Sequence, residues 1–145
     1  MKEKMVQRYY VLAGQRDDWQ VSISNKVWGF SERTKGYWNK IQSEELVAFY
    51  ATAPIKKIFG FGRVKEKFID KSILWSDDRF FGRAMWPYRI SLEMIYVTKE
   101  WEKDGISLPV DLLIQVSRKV IPKELYYGLI ETAEKKWEIK IPVEK

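Results

Sequence analysis

The chain has neither histidine nor cysteine among its 145 residues, yet it carries seven Trp, eight Tyr and seven Phe. Without the first two it lacks the commonest general base, the commonest transition-metal ligand and every thiol nucleophile. Disulfides, Cys-ligated zinc and Ser–His or Cys–His catalytic sets are therefore excluded. Catalysis would fall to the carboxylates Asp17, Asp18, Asp77 and Asp78 or to Lys26. Adjacent carboxylates with no further ligand beside them read as caps and turns before they read as metal sites. No metal or cofactor is expected, and binding ranks ahead of catalysis.

The remaining signal is rings interleaved with cations. Trp28, Tyr50, Trp75, Trp86 and Tyr88 fall near strand ends or in a long loop, with Arg33, Lys35, Arg79 and Arg83 close by in sequence. Flat faces can stack an unpaired base while cations meet the flanking phosphates. The segment Val27-Trp28-Gly29-Phe30-Ser31-Glu32-Arg33 concentrates this pattern, because it sets a broad indole beside a residue that lets backbone approach a ligand. A short core strand with a turn glycine is the plainer reading of that segment alone. Tyr9, Tyr10, Phe49, Phe68, Tyr96 and Trp137 read as core. Gly60-Phe61-Gly62 looks like part of a phosphate loop, but it sits inside a strand with no third glycine or following helix, so it is assigned to backbone geometry.

The elements that must position these residues follow from length and periodicity. The length suits one domain spanning 1–145, and 46% hydrophobic with 32% charged residues is a globular composition. The net charge of +6 lies in residues 1–72, with 14 Lys/Arg against 8 Asp/Glu, while residues 73–145 balance. One positive face, suited to a polyanion, is implied. No apolar run reaches a membrane span and no signal-peptide pattern opens the chain, which begins with the charged tail Met1–Lys4, so a cytoplasmic protein is expected. Abundant Lys and Glu without Cys also fit a thermophilic source.

Gln7–Ala13 predicts a central strand ended by Gly14. Asp17 or Asp18 is placed to cap a short helix carrying Trp19, Val21 and Ile23, and a second short helix is expected near 34–41. Leu46–Thr52 reads as a strand. Ile58–Phe68 alternates, with Ile58, Gly60, Gly62 and Val64 on one face and Phe59, Phe61, Arg63, Lys65 and Lys67 on the other. Residues 69–87 form a loop too aromatic to be idle. In Tyr88–Val97, Tyr88, Ile90, Leu92, Met94 and Tyr96 point inward, and Arg89, Ser91 and Glu93 outward. Two helices should begin at Pro109 and Pro122, with stripes Val110, Leu113, Ile114, Val120 or Ile121 and then Leu125, Leu129, Ala133. The sum is an α+β domain on a curved sheet.

In order, Lys26–Arg33, Phe49-Tyr50, Gly60-Phe61-Gly62, Leu74-Trp75 and Trp86-Pro87-Tyr88-Arg89 resemble the motifs of the EVE domain. That family belongs to the PUA-like group with the YTH domains, which read N6-methyladenine in RNA. The resemblance covers about residues 8–97 and, more loosely, the C-terminal helices. It implies a PUA-like curved, mostly antiparallel β-barrel of five to six strands with flanking helices and a pocket for one base.

Carried over by position, the resemblance makes Trp28 one wall and Trp75 the second, with faces about 7 Å apart, twice an ordinary contact. Gly29 would present backbone groups to the base edge, where YTH domains have Ser. Tyr50 and Tyr88 would lie near the mouth or floor, and Asn25 and Ser31 are hydrogen-bonding candidates. Phosphates would meet Lys26, Arg33, Lys35, Arg79 and Arg83. The expected partner is RNA or DNA bearing a modified base, modified cytosines in DNA being a leading class for EVE domains. No membrane partner is expected, and a monomer or weak dimer fits equally. The alternatives are an RNA- or nucleotide-modifying enzyme of the PUA-like group that uses carboxylates, and a partner-binding domain.

Overall fold

The computed structural model describes residues 7–109, 111–112 and 119–143. In chain order its elements are β1 (Tyr9–Gly14), α1 (Arg16–Asn25), β2 (Val27–Phe30), α2 (Lys35–Lys40), β3 (Leu46–Ala51) and β4 (Lys57–Ile69). There follow α3 (Ser76–Phe81), β5 (Tyr88–Val97), the two-residue strands β6 (Ile106–Ser107) and β7 (Val120–Ile121), and α4 (Lys123–Trp137). The tail Met1–Lys4 and the stripe positions Val110, Leu113 and Ile114 lie outside the described residues.

One curled sheet runs β2–β5–β4–β3–β1–β7, with β6 paired to β4 beside that path. β1 lies parallel to β3, and the other pairings are antiparallel. This is the α+β, mostly antiparallel curved sheet with flanking helices that the sequence predicts.

Alternation along β1 and β3 feeds two cores. Tyr9, Val11, Leu46, Ala48 and Tyr50 face one side, while Tyr10, Leu12, Val47, Phe49 and Ala51 face the other. Both faces are apolar because both are covered. Tyr126, Leu129, Ile130 and Ala133 of α4 close the first core, and Trp19 of α1 enters the second. Each large side chain buried this way contributes about 1.5–3 kcal/mol.

β4 departs from strict alternation. Phe49 pairs with Gly60 and Tyr50 with Ile58, which leaves Phe59 as an extra residue. That bulge reverses the faces, so Phe61 joins Ile58 on the α4 side and Phe59 goes to the α1 side. The expected pairing of Phe59 with Phe61 on one face is thereby corrected. Gly60 and Gly62 serve close approach as expected: added Cβ atoms would stand 2.7 Å from the Tyr96 carbonyl oxygen and 2.6 Å from Phe49.

Three further expectations are corrected. Gln15, with no side-chain bond, occupies the N-cap of α1, and Asp17 and Asp18 sit in its first turn, where the helix dipole favours negative charge. Val120 and Ile121 extend the sheet beside Tyr10 and Tyr9 instead of a helical stripe. Arg89, read as outward-facing, is only 2% exposed. The loop between β4 and β5 folds over Arg89 at the start of the outer face of β5, while Glu93 further along stays exposed. No helix among the described residues is long and apolar enough to cross a membrane.

Candidate functional site

Four pieces of backbone meet beside the sheet edge formed by β2: the end of β1, the first turn of α1, β2 itself, and the β4–β5 loop. Their side chains enclose a cavity of about 90 Å³ lined by Ala13, Gly14, Asp18, Trp28, Gly29, Trp75 and Trp86. An adjoining depression of about 110 Å³ shares Ala13, Trp28, Gly29 and Trp86 and reaches Ser31, Thr34, Tyr37 and Lys119.

Trp28 is held on two sides. Its ring stacks on Trp19 at 4.3 Å and 26°, and Trp19 is itself fixed by an indole N–H donated to the Tyr50 carbonyl at 2.9 Å. A Cβ on Gly14 would come within 2.4 Å of the Trp28 ring, so the indole lies against bare backbone there. Gly29, paired with Arg89 across β2 and β5, is crowded from more sides. Its Cβ would meet Trp86 Cβ at 2.5 Å, the Trp86 carbonyl oxygen at 2.9 Å and the Trp75 ring at 3.0 Å.

Trp75 is placed by the loop and by α3. Asp78, fully buried, accepts the backbone N–H groups of Leu74 and Trp75 at 3.0 Å each and that of Met85 at 2.7 Å. One carboxylate therefore ties both ends of the segment around α3. The Trp75 indole N–H donates to Ser22 Oγ at 3.2 Å, and Trp86 meets the ring edge-on at 5.6 Å and 82°. Beside it, the Arg89 guanidinium lies 5.1 Å from the ring centroid. Arg89 also donates to the Trp86 carbonyl at 3.0 Å, to Ser72 Oγ at 3.1 Å and to the Ser72 carbonyl at 2.6 Å, and it pairs with Asp70 at 3.3 Å. Trp75 is 2% exposed, and it meets the cavity from within the fold.

The polar character of the cavity is acidic. Burial, then the neighbouring Asp77, Asp17 and Asp78, push the Asp18 carboxyl up to about 6. At neutral pH Asp18 accepts hydrogen bonds; below about 6 it also donates. Among the described residues, the indole N–H groups of the lining residues Trp28 and Trp86 have no protein acceptor. A flat heterocycle offering an N–H to Asp18 and an acceptor to an indole suits these groups.

The raised value carries a stability prediction. A carboxyl whose folded pKa exceeds its unfolded one contributes stability below about pH 4 that is lost as the pH rises through 6. Asp18→Asn should leave the thermal midpoint unchanged near pH 4 and raise it near pH 8. Asp18 is only half-buried, so the expected gain is on the order of 1 kcal/mol, or about 2–4 °C. Thermal melts of both proteins across that range check it.

The structure brings three of the sequence-predicted positions, Trp28, Gly29 and Trp75, to the cavity, and Ser31 to the adjoining depression. Tyr50 instead packs in the core under α4. Tyr88 lies on the α2 side, where its hydroxyl donates to Glu32 and Lys35 sits 4.7 Å over its ring. Asn25 is exposed and donates to the Val21 carbonyl at the end of α1. Lys26 follows it in the left-handed conformation at φ 54° that turns the chain into β2. Arg33, Arg79 and Arg83 are exposed, and none of the predicted cations lines the cavity. Among the carboxylates considered for catalysis, Asp17 pairs with Arg16 at 3.2 Å and Asp78 is engaged by the three backbone groups. No cluster of three or more acidic side chains among the described residues has the arrangement of a metal site.

Sequence reasoning named Trp86 among the candidate rings without giving it a place in the pocket, and it missed Gly14 and Asp18 as lining residues and Ser22 and Arg89 as supports. One signal was present: Asp18 and Ser22 stand four apart on α1 and so share the face turned to the two indoles.

Neither a protein-family model nor a curated protein sequence matches the chain. Solved structures do. The Mmi1 YTH domain in complex with RNA is 12% identical with a TM-score of 0.61 over 94% of this chain and 85% of that one. The YTH domain of Zygosaccharomyces rouxii MRB1 in complex with N6-methyladenosine RNA is 13% identical with a TM-score of 0.54, over 91% and 90%. The Pho92 YTH domain in complex with m6A is 11% identical with a TM-score of 0.52, over 91% and 86%. At such identities the likeness establishes the fold alone, which is that of these YTH domains.

Proposed function

We propose that this chain acts as one nucleic-acid-binding domain, of the EVE type within the PUA-like group, which holds a single modified base in the cavity between Trp28 and Trp75. One observation carries the reading: two indoles from distant parts of the chain converge on a cavity with backbone bared at Gly14 and Gly29 and a carboxyl at Asp18. Stacking supplies roughly 1–3 kcal/mol per base, and extracting a base from a duplex costs a few kcal/mol, so single strands are the easier ligand. The acidic lining favours a base edge that offers an N–H, such as an amino or alkylamino group. That the compared YTH domains were solved with RNA and N6-methyladenosine supports RNA as the first strand to try, with DNA carrying modified cytosine second.

The test is a titration of single-stranded RNA and DNA that differ at one position, carrying N6-methyladenine, 5-methylcytosine or the unmodified base. At least one modified strand should bind tenfold or more tighter than its unmodified twin. Equal affinity across the panel contradicts the proposal. The basic side chains of α3 and its C-terminal turn are assigned to phosphates. Replacing Arg79 and Arg83 by Gln should lower the slope of log affinity against log salt by roughly 1.5 in magnitude, as expected for two lost phosphate contacts. An unchanged slope would remove these two from the contact.

A further inference from the structure

The outer side of α3 is not explained by the cavity. Phe80 is 83% exposed and Phe81 55%, and their rings meet edge to face at 5.0 Å and 83°. Neither joins a core, so neither repays in folding what its exposure to water costs. They do not sit on a loose loop, because Asp78 fastens the segment at both ends and Gly82 closes the helix in the left-handed conformation at φ 69°. Trp75, a wall of the cavity, immediately precedes the same helix. At 1.5 Å rise per residue, Phe80 stands about 7.5 Å further along it.

The surroundings favour a polyanion. Arg79 and Arg83 flank the pair, both exposed and, among the described residues, without an ion-pair partner. Of the two acidic residues of α3, Asp78 is buried and engaged, which leaves Asp77 exposed. Two Phe side chains offer about 300–500 Å², short of the roughly 800 Å² per partner of a stable protein interface. They suffice for a nucleobase.

Building on the proposed base cavity, we infer that Phe80 and Phe81 form a stacking platform for the unpaired nucleobase next to the one in the cavity. Arg79 and Arg83 meet the phosphates between and beside them. One base is taken in for identity and its neighbour is laid on an exposed ring, so the protein reads a step of single strand.

The test uses the full chain and the double variant Phe80→Ser/Phe81→Ser. Both are titrated with three probes carrying N6-methyladenine or 5-methylcytosine: the free nucleoside, a short single strand and the same strand fully paired. The variant should bind the nucleoside within twofold of the parent and the single strand about tenfold or more weakly, as expected for loss of one stacked base. Phe80→Trp alone should keep or strengthen single-strand binding, whereas Phe80→Leu, apolar but without an aromatic face, should weaken it. Failure of the parent protein to bind any nucleoside or strand sinks the cavity reading. Nucleoside binding with undiminished single-strand affinity in the double variant overturns the platform alone. A loss confined to the duplex makes the pair a wedge and overturns it too. So does a parent dimer in sedimentation that the variant abolishes at unchanged strand affinity.

Discussion

Trp28→Ala should lower affinity for the modified strand at least a hundredfold while leaving a folded protein. The indole supplies one of the two walls, and it is the one reached most directly from outside, being half-buried where Trp75 is enclosed. Its loss removes the stacking face and the indole N–H. It also uncovers Trp19 and opens the space over Gly14, since both touch the Trp28 ring. The stability cost should be about 2 kcal/mol, below the about 3–5 kcal/mol of a fully buried Trp→Ala change. Trp28→Phe separates wall from donor, because it keeps an aromatic face and loses the N–H. Binding titrations of the three proteins, with thermal melts beside them, decide the matter. Trp28→Ala binding within threefold of the parent would remove Trp28 from the site.

Arg89→Met should cost the most stability. Methionine keeps an unbranched apolar stem but removes the cation that joins Asp70, Ser72, the Trp86 carbonyl and the Trp75 face. The half-buried Trp86 carbonyl then loses this donor, at a cost of about 1–3 kcal/mol, while the carbonyl of the exposed Ser72 turns to water. Asp70 is 42% exposed at its side chain, so water replaces part of what Arg89 gave it. The expected total is about 3 kcal/mol, the low end for breaking a buried pair, and a midpoint lowered by about 6–12 °C. Trp75 and Trp86 lose their common anchor with it, so base binding should fall alongside. A melt within 2 °C of the parent, with binding intact, would show that the loop holds its shape without the guanidinium.

Arg89 also shows where sequence reading stops. Alternation along β5 aims Tyr88 and Ile90 inward and therefore Arg89 outward, and the strand obeys that rule as far as Met94, after which an irregularity at Ile95 carries Tyr96 to the other core. What buries Arg89 is a long loop folding over the start of the outer face, an event that no period in β5 records. Phe59 shows the second limit: one bulged residue reverses the side chains that follow it up to Val64, and nothing in Ile58–Phe68 marks where the extra residue falls. The strands β6 and β7 are two residues each, too short for any period to register, and β1 pairs with β3 in parallel across α1, β2 and α2 without a local cue.

The legible parts were those written locally. The strand Tyr88–Val97, the stripe of α4 and the curled α+β sheet follow from apolar spacing. Trp28, Gly29 and Trp75 stood out as rings and a glycine at element ends, and the structure gathers them at one cavity. Asp18 did not, because adjacent carboxylates before a helix look like caps. Only the packed α1 shows that one of the pair turns toward the indoles.

The seven indole N–H signals give the most direct test of the central claim that a base enters between Trp28 and Trp75. Those of Trp19, Trp38, Trp75 and Trp137 donate to protein acceptors. In a two-dimensional proton–nitrogen spectrum, the best-binding nucleoside of the panel should shift the signals of Trp28, Trp75 and Trp86, leaving Trp38, Trp101 and Trp137 in place. Saturation with Trp28 and Trp75 unmoved, or with the shifts at Trp101 and Trp137 instead, would contradict the account.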